Sequence, residues 1–518
     1  MPQDLVLGLD SSTTACKAVV WDCAGQPLAI GRAAHRIDMP HPGWHEQSAD
    51  SWWTAACTAI QAAIAPIEPA RLAALCVTHQ RETFVVLDEH DQPLRPAILW
   101  MDERCRGLLP TIEHHLGRQR IHQITGKPLS GNLTLGKIAW IKANEPEVFR
   151  RAAYYLDVAA YLNYRLTGLY RTGWGCADPT GLFDLQQNAW SREILEYLGI
   201  TPDQLPEAFP PGAILGEVTP TAGADCGLPP GLPVVAGLGD GQSAGLGANI
   251  THPSRAFISL GTSVLSGTYS DRFVIDRSFR TLYGGIPGSY LLETALLGGA
   301  YTINWFLETF SAVSGGINRL DGQRGEAYYE ALLRDLPPGA SGLLLVPYWN
   351  SAMNPYWDAS ASGIVAGWRG YHRPEHLYQA ILEGIGYELR LSIEGVETAL
   401  PAPVERLIAT GGGAQSPVWL QIIADITGKP VYRSHTHETA ALGAGILAAT
   451  ASRLYPDVQT AADQMTAIQP HPTEPDASRH PYYTRLYEDV YRHLFPALQP
   501  YLARLTELSE SQWSVASG

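Results

Sequence analysis

Short apolar runs alternate with polar turns near the start of the chain. Residues 5–10 and 18–22 have the length and apolar character of strands, and the polar turn at residues 23–27 leads into a third such run. Apolar residues then recur at helical spacing over residues 50–64, before another apolar run at residues 75–78. Strands joined by tight turns, followed by a helix and a further strand, predict an α/β domain with a mixed sheet that opens with a β-meander.

The same order of elements recurs in the second half of the chain. Apolar runs at residues 256–260 and 264–269 flank a short polar turn, and a helical pattern follows over residues 375–396. A further apolar run at residues 406–410 ends in a glycine-rich turn that opens a helix over residues 416–427. Two copies of one topology predict two similar lobes with a cleft between them.

Changes of composition mark the ends of these lobes. The first boundary falls near residues 249–254, and a Pro- and His-rich stretch at residues 469–481 precedes a last helical pattern at residues 483–508. We predict three parts, a first lobe at residues 1–250, a second lobe at residues 251–468, and a linker with a C-terminal helix at residues 469–518.

The composition of the 518 residues narrows the classes of function. Hydrophobic residues make up 45% and charged residues 17%, which suits a chain with a large buried core. The net charge is −15 and the five lysines are scattered, which weighs against nucleic-acid binding. Seven cysteines without a C-x-x-C pair, the lack of a basic leader and the lack of an apolar run of about 18 residues predict a cytoplasmic protein without membrane contact.

Three polar or glycine-rich turns follow predicted strands, at residues 10–14, 261–263 and 411–416. Small residues let backbone N–H groups approach a phosphate, and the hydroxyl groups of Ser and Thr add donors. The third turn also opens a helix, whose N-terminus carries partial positive charge. Residues 131–137 have the G-x-x-x-x-G-K spacing of a P-loop, but Ile138 stands where a Ser or Thr should meet Mg²⁺. The three strand-end turns are therefore the candidates for phosphate binding.

A fourth turn, around Asp240, supports two interpretations. In the first, Asp240 is a general base at a strand end, and the glycines on either side let a substrate come close. In the second, the G-x-S-x-G pattern that begins at Gly241 is the nucleophile elbow of a serine hydrolase. Ser243 would then be the nucleophile, with His252 or His435 as its partner. The hydrolase interpretation explains neither the first phosphate turn nor the repeated lobes, so it ranks second.

Ordered motifs over nearly the whole chain, from about residue 5 to residue 449, resemble the FGGY family of ATP-dependent carbohydrate kinases. The motifs that carry the likeness lie at residues 9–14, 41–47, 79–83, 98–104, 137–141, 363–383 and 438–444. The sequence departs from the family pattern at Asn132, Ala143 and Trp368. The resemblance implies an α/β fold of two actin-like (ribonuclease H-like) lobes, with the sugar and the catalytic Asp in the first lobe and ATP in the second.

The resemblance also implies a reaction, the transfer of the ATP γ-phosphoryl group to a terminal hydroxyl of a small sugar or polyol. Asp240 matches the catalytic base of the family, and Asp10 with Asp240 matches its Mg²⁺ site. The positions that match ATP-binding residues are Thr13, Thr14, Lys17, Gly261, Thr262, Gly299, Gly412 and Ser416. Gly412 and Ser416 fall where the family holds the nucleoside end of ATP. The implied cofactors are ATP and Mg²⁺, and a homodimer is an assembly that the resemblance allows.

The candidate substrate contacts are Arg81, Glu82, Trp100 and Asp240. Arg81 supplies forked donors and Glu82 acceptors, a pair suited to vicinal hydroxyl groups, and the pair resembles glycerol kinases. Residues 41–47 and 239–247, in contrast, look more like xylulokinases. D-xylulose is therefore the first candidate substrate, and glycerol, erythritol or another polyol or ketopentose is the alternative. A non-enzymatic, actin-like ATP-binding scaffold would need neither a general base nor this pair.

Overall fold

Two six-stranded sheets form the framework of the protein, one in each half of the chain. The computed structural model describes residues 3–311, 325–334, 336–349 and 351–516. The strands of the first half are β1 (Leu5–Ser11), β2 (Ala15–Trp21), β3 (Pro27–Ala34), β4 (Glu46–Gln47), β5 (Leu72–His79), β6 (Phe84–Leu87), β7 (Ala97–Ile98), β8 (Tyr154–Asp157), β9 (Arg171–Gly173), β10 (Phe183–Asp184), β11 (Ala189–Trp190), β12 (Glu207–Phe209), β13 (Ile214–Glu217) and β14 (Pro233–Val235). Those of the second half are β15 (Arg255–Leu260), β16 (Val264–Ser270), β17 (Arg280–Tyr283), β18 (Tyr290–Leu296), β19 (Leu344–Val346), β20 (Ile364–Ala366), β21 (Arg406–Thr410) and β22 (Val431–Arg433).

Helices cover both sheets. In the first half they are α1 (Ala49–Ile64), α2 (Leu109–Leu116), α3 (Arg118–Thr125), α4 (Thr134–Asn144), α5 (Pro146–Arg151), α6 (Val158–Thr167), α7 (Trp174–Ala177), α8 (Arg192–Leu198), α9 (Pro220–Cys226) and α10 (Asp240–Gly247). In the second half they are α11 (Ala300–Ser311), α12 (Gly325–Leu333), α13 (Pro374–Glu397), α14 (Pro417–Thr427), α15 (Thr439–Ala451), α16 (Val458–Met465), α17 (His480–Leu486), a π-helical turn (Tyr487–Tyr491) and α18 (Arg492–Ala516). Within the described ranges, none of these helices has both the length and the apolar character needed to cross a membrane.

One arrangement of five strands occurs in both sheets. The strand orders are β13-β14-β5-β1-β2-β3 in the first sheet and β17-β18-β16-β15-β21-β22 in the second. Strand β1 pairs antiparallel with β2 and parallel with β5; β2 also pairs antiparallel with β3, and β5 pairs parallel with β14. In the same way, β15 pairs antiparallel with β16 and parallel with β21; β16 also pairs antiparallel with β18, and β21 pairs parallel with β22. The predicted duplication, including the opening meander, is therefore confirmed.

The central strands are mostly apolar because helices pack on both faces of the sheet. Every residue of β1 and of β5 is buried. Leu5, Leu7 and Leu9 share one core with helix α1, whereas Val6 shares another core with helix α15. A parallel region that is covered on both sides gives a continuous apolar run instead of alternating polar and apolar positions, which is the pattern seen in the sequence.

Helices α10 and α15 join the two halves by close packing. A Cβ on Gly443 of α15 would overlap with the carbonyl oxygen of Ser243 in α10. A Cβ on Gly247 of α10 would overlap with the carbonyl oxygen of Thr439 in α15. Each helix therefore needs a glycine where its partner's backbone passes, and the junction depends on residues without side chains.

The C-terminal helices pack into the core of the second half. The Tyr483 hydroxyl donates to Oε1 of Glu383 on α13 (2.8 Å), and the Tyr491 hydroxyl donates to Oε1 of Glu388 on the same helix (2.9 Å). The helix predicted at residues 483–508 is longer and comprises α17, the π-helical turn and α18 in one run. Buried tyrosines with hydrogen-bonded hydroxyl groups thus attach this segment firmly to α13.

Candidate active site

The carboxyl ends of β1, β5 and β14 meet at one edge of the first sheet, and charged residues lie there. Asp10 belongs to the end of β1. Arg81 and Glu82 follow β5, and Asp240 follows β14 as the first residue of α10. Because parallel strands end at the same edge, the topology brings together segments that are far apart in the sequence. The four predicted residues therefore share one edge.

Asp240 is held in place by two donors to the same carboxylate oxygen. Its Oδ1 accepts a hydrogen bond from the backbone N–H of Gly241 (2.7 Å) and lies 2.9 Å from Nε of Arg81. The side chain of Arg81 is 6% exposed, whereas that of Asp240 is 36% exposed. A carboxylate with a buried anchor and an open side is suited to accept a proton from a bound hydroxyl.

Arg81 and Glu82 bond to the second lobe. Nη1 of Arg81 lies 2.8 Å and 3.0 Å from the two carboxylate oxygens of Glu293 in β18. Nη1 of Arg280 in β17 donates to Oε1 of Glu82 (2.8 Å). Burial by itself would lower the pKa of Arg81, but the charge of Glu293 and of the other neighbouring carboxylates raises it above its ordinary value. The two side chains predicted as substrate contacts are thus also part of a contact between the lobes.

The glycines on either side of Asp240 make room for this contact. A Cβ on Gly239 would overlap with the side chain of Arg81, and a Cβ on Gly241 would overlap with the carboxylate of Glu293. We expected these glycines to admit a substrate. Among the described residues, they make room for the side chains of Arg81 and Glu293.

Asp10 is a buried carboxylate with an unsatisfied oxygen. Its Oδ1 has no hydrogen-bond partner among the described residues. Burial raises the pKa of Asp10 to about 7, and the negative charge of Asp240 adds to this rise. A divalent cation would satisfy the oxygen and offset both charges, so the residues fit Mg²⁺. The described residues contain no group of three or more His, Cys, Asp or Glu that could hold a metal. Phosphate oxygens would therefore supply further ligands, as is usual for Mg²⁺.

Trp100 contacts the turn at residues 10–14, at the end of β1. Its indole Nε1 donates to Oγ1 of Thr13 (3.0 Å), and the neighbouring Thr14 is exposed. Lys17 in β2 forms an ion pair with Glu438, which precedes α15 (2.8 Å). The structure thus brings Thr13 and Trp100 together and places Lys17 at a second contact between the halves of the chain.

The turn between β15 and β16 contains Gly261 and Thr262, and Thr262 is exposed. Gly299, just before α11, packs against the backbone of this turn. A Cβ on Gly299 would lie 2.9 Å from backbone atoms of Ser263 and Val264. Three of the predicted ATP-binding positions are therefore neighbours at the end of β15.

The turn after β21 contains Gly412 and leads to Ser416 at the start of α14. Gly412 is exposed, and a Cβ there would meet no described atom within 4 Å. The Ser416 hydroxyl accepts from the backbone N–H of Trp419 (3.0 Å) and donates to the carboxylate of Glu330. The space beside Gly412 can receive a ligand, whereas the Ser416 hydroxyl caps a helix.

Lys137 lies in the P-loop-like segment but holds backbone carbonyl groups. Its Nζ donates to the carbonyl oxygens of Glu82 (3.3 Å), Trp100 (3.1 Å) and Asn132 (2.6 Å). Burial lowers the pKa of Lys137 to about 8. Lys137 therefore links three segments of the first lobe by hydrogen bonds to their backbone, which agrees with the exclusion of a P-loop.

Two residues of the contact between the lobes, Arg280 and Glu293, were not predicted from the sequence. Glu293 is the one charged residue of the apolar strand YLLETAL, and its side chain is fully buried. An isolated acidic residue inside an apolar strand is a usable signal, because buried charges in proteins are nearly always paired. The identity of the partner, however, could not be read from that signal.

Two family profiles match the chain in succession. The profile described as the N-terminal domain of the FGGY family of carbohydrate kinases covers residues 5–247, and the profile for the C-terminal domain of that family covers residues 256–452. The chain belongs to the FGGY family of carbohydrate kinases. FGGY kinases use ATP, typically with Mg²⁺, to phosphorylate carbohydrates, so the predicted class of enzyme is confirmed.

Known FGGY kinases match the chain over nearly its full length. A xylulose kinase of Lactococcus lactis is 30% identical over 492 residues, which is 94% of this chain and 95% of that protein. A gluconokinase of Bacillus subtilis is 26% identical over 516 residues, which is 98% of this chain and 97% of that protein. The crystal structure of xylulose kinase from Rhodospirillum rubrum superposes with a TM-score of 0.87 at 27% identity, covering 96% of this chain and 99% of that one. The two-lobed, actin-like fold is therefore confirmed.

The serine-hydrolase interpretation is wrong, because Ser243 is not accessible in the way that a catalytic nucleophile must be. Its side chain is buried, and its Oγ donates to the carbonyl oxygen of Ala440 on α15 (2.7 Å). His252 is exposed and contacts Ser254 (2.9 Å), and His435 is also exposed. Ser243 therefore stabilises the helix junction of this kinase.

Proposed function

We propose that this protein transfers the γ-phosphoryl group of ATP to the terminal hydroxyl of a small uncharged sugar, with D-xylulose, giving D-xylulose 5-phosphate, as the first candidate. The observation that carries the proposal is the partly exposed carboxylate of Asp240, anchored to a buried arginine at the edge where Asp10 also lies. Phosphoryl transfer needs positioned charges more than covalent chemistry, and this edge supplies them.

In this proposal Asp240 is the general base. The sugar hydroxyl oxygen forms a bond to the γ-phosphorus as the bond from that phosphorus to the bridging oxygen of ADP breaks. The proton of the hydroxyl passes to the open side of the Asp240 carboxylate, while Arg81 and the N–H of Gly241 hold the other oxygen. Mg²⁺ bound at Asp10 and Asp240 would offset the charge of the phosphates.

The remaining site residues divide between the two reactants. Arg81, Glu82 and Trp100 would contact the sugar. Thr13, Thr14 and Lys17 in the first lobe, and Gly261, Thr262 and Gly299 in the second, would contact the phosphates, and Gly412 and Ser416 the nucleoside. Residues 1–250 would thus hold the sugar and the base, and residues 251–468 most of ATP.

D-xylulose leads because xylulose kinases are among the relatives that match over almost the whole chain. The Arg81–Glu82 pair supports a second candidate, a polyol such as glycerol or erythritol, because it offers both donors and acceptors to adjacent hydroxyl groups. A gluconokinase also matches over almost the whole chain. Its substrate carries a carboxylate, which the acidic character of this edge disfavours.

The test is an ADP-release assay with the purified protein, Mg²⁺ and ATP. The panel contains D-xylulose, L-xylulose, ribulose, glycerol, erythritol, ribitol and D-gluconate. We expect the highest kcat/KM with D-xylulose. A preference for glycerol or erythritol would establish the second candidate, and a preference for D-gluconate would contradict the proposal.

A further inference from the structure

A chain of alternating charges crosses from the first lobe to the second. Asp240 bonds to Arg81, and Arg81 bonds through Nη1 to both oxygens of Glu293. Arg280 is paired with Glu293 across strands β17 and β18 and donates from Nε to its Oε1 (3.1 Å). The same arginine donates to Glu82 (2.8 Å). The network therefore contains three carboxylates and two guanidinium groups.

Glu293 occupies the centre of this network. Its side chain is fully buried, and it accepts hydrogen bonds from both arginines. Burial by itself would raise the pKa of Glu293, but the charges of Arg81 and Arg280 lower it below its ordinary value. Glu293 is thus ionised, and it neutralises the arginine that lies nearest to the proposed base.

A free buried arginine at this position would attract anions. A guanidinium group binds a carboxylate through two parallel hydrogen bonds, and such pairs are strong in a buried site. In this structure Nε of Arg81 bonds to Asp240 and Nη1 bonds to Glu293. Of the neighbouring buried lysines, Lys127 is paired with Asp178 (3.3 Å) and Lys137 donates to three backbone carbonyl groups.

We propose that Glu293 determines the class of substrate: by occupying Arg81 it makes the pocket select uncharged polyhydroxy compounds and reject sugar acids. The proposal rests on the proposed function, since it assumes that Arg81 lies at the sugar. Gly241 is a condition for this role, because any side chain there would displace the Glu293 carboxylate. A residue of the ATP-binding half would thereby set the specificity of the sugar-binding half.

The test compares the wild type with Glu293→Gln, which keeps the shape of the side chain and removes its charge. Binding of D-gluconate is measured by calorimetry, and kcat/KM is measured for D-gluconate and for the uncharged sugars. We expect D-gluconate affinity to rise by about tenfold or more in Glu293→Gln, and the preference for uncharged sugars to fall by a similar factor. Glu293→Asp, which keeps the charge, is expected to retain most of the wild-type discrimination.

Glu388→Gln is the matched control, because Glu388 is also a buried carboxylate of the second lobe but bonds to the hydroxyl groups of Tyr348 (2.6 Å) and Tyr491 (2.9 Å). It is expected to leave the discrimination unchanged. If Glu293→Gln does not fold, Glu293→Met, which also removes the charge and keeps approximately the length of the side chain, serves the same comparison.

The outcomes separate this proposal from the proposed function. Unchanged D-gluconate affinity in the folded variant would overturn the role of Glu293, whatever the wild type phosphorylates. A gain in D-gluconate affinity would support that role even if the wild type phosphorylated no sugar of the panel, in which case only the proposed function would fail. Tight D-gluconate binding by the wild type would overturn both.

Discussion

The two sheets share one strand arrangement, yet the edges at which their parallel strands end differ in chemistry. The edge of the first sheet carries charged side chains, namely Asp10, Arg81, Glu82 and Asp240. The corresponding edge of the second sheet carries small uncharged residues, namely Gly261, Thr262 and Gly412. Thr262 and Gly412 are exposed, whereas Asp10 and Arg81 are buried.

This difference shows how one framework can support two kinds of binding. The core lies behind the strand ends, so the connecting turns are free to vary without loss of the fold. Side-chain charges can hold a small molecule by its hydroxyl groups and move its proton. Backbone N–H groups in small-residue turns can hold a polyphosphate. Under the proposed function each sheet would carry out one of these two tasks.

Asp240→Asn tests the charged edge most severely. The amide keeps the size of the side chain but cannot accept the proton, so kcat should fall by roughly 10²–10⁴-fold. ATP affinity, measured without Mg²⁺ by calorimetry or fluorescence titration, should change little. Asp203→Asn, at an exposed position, is the control and should leave both values unchanged. A normal kcat in Asp240→Asn would remove Asp240 from its proposed role.

Gly443→Ala tests the junction between the two halves. The added Cβ would overlap with the backbone of Ser243, so the free energy of unfolding should fall by about 1–3 kcal/mol. Activity should fall as well, because α10 carries Asp240 at its first position. Denaturant unfolding measures the first effect. The control is Gly370→Ala, where a Cβ meets no described atom within 4 Å. Equal stability of the two variants would contradict the role of the junction.

Gly412→Val tests the uncharged edge. The space beside Gly412 is open in the described part of the chain, so the fold should tolerate the larger side chain. If this space receives the nucleoside, KM for ATP should rise by about tenfold, while Tm and KM for the sugar stay the same. A change in sugar KM without a change in ATP KM would reverse the proposed assignment of the two edges.

Glu383→Gln probes a buried carboxyl group of the second lobe away from its strand-end turns, and we expect the smallest effect here. Burial raises the pKa of Glu383 from 4.5 to about 7. The folded state therefore binds the proton more tightly, so the stability that this group contributes is present below pH 4.5 and is lost as the pH rises through about 7. In Glu383→Gln, Tm should therefore fall less between pH 4.5 and about 7 than it does in the wild type. The difference should be a few degrees at most. Identical pH profiles of Tm for the two proteins would contradict the prediction.

Much of the fold could be predicted from the sequence. The apolar runs of β1, β5, β15 and β21 predicted buried strands, because a sheet that is covered on both faces requires such runs. The repeated order of elements predicted the duplication. The C-terminal segment was predicted less well, because its attachment depends on hydrogen bonds from tyrosines to two glutamates on a helix about a hundred residues away.

The sequence by itself also determined which chemical groups are available: three polar turns, an acid at a strand end and an Arg-Glu pair. The tertiary structure decided which groups meet. Arg81 and Glu293 are separated by 212 positions and belong to different lobes, yet they bond at 2.8 Å. Electrostatic interaction depends on distance and on burial, and neither follows from position along the chain. Only the packing of the two lobes shows that Arg81 already has a partner.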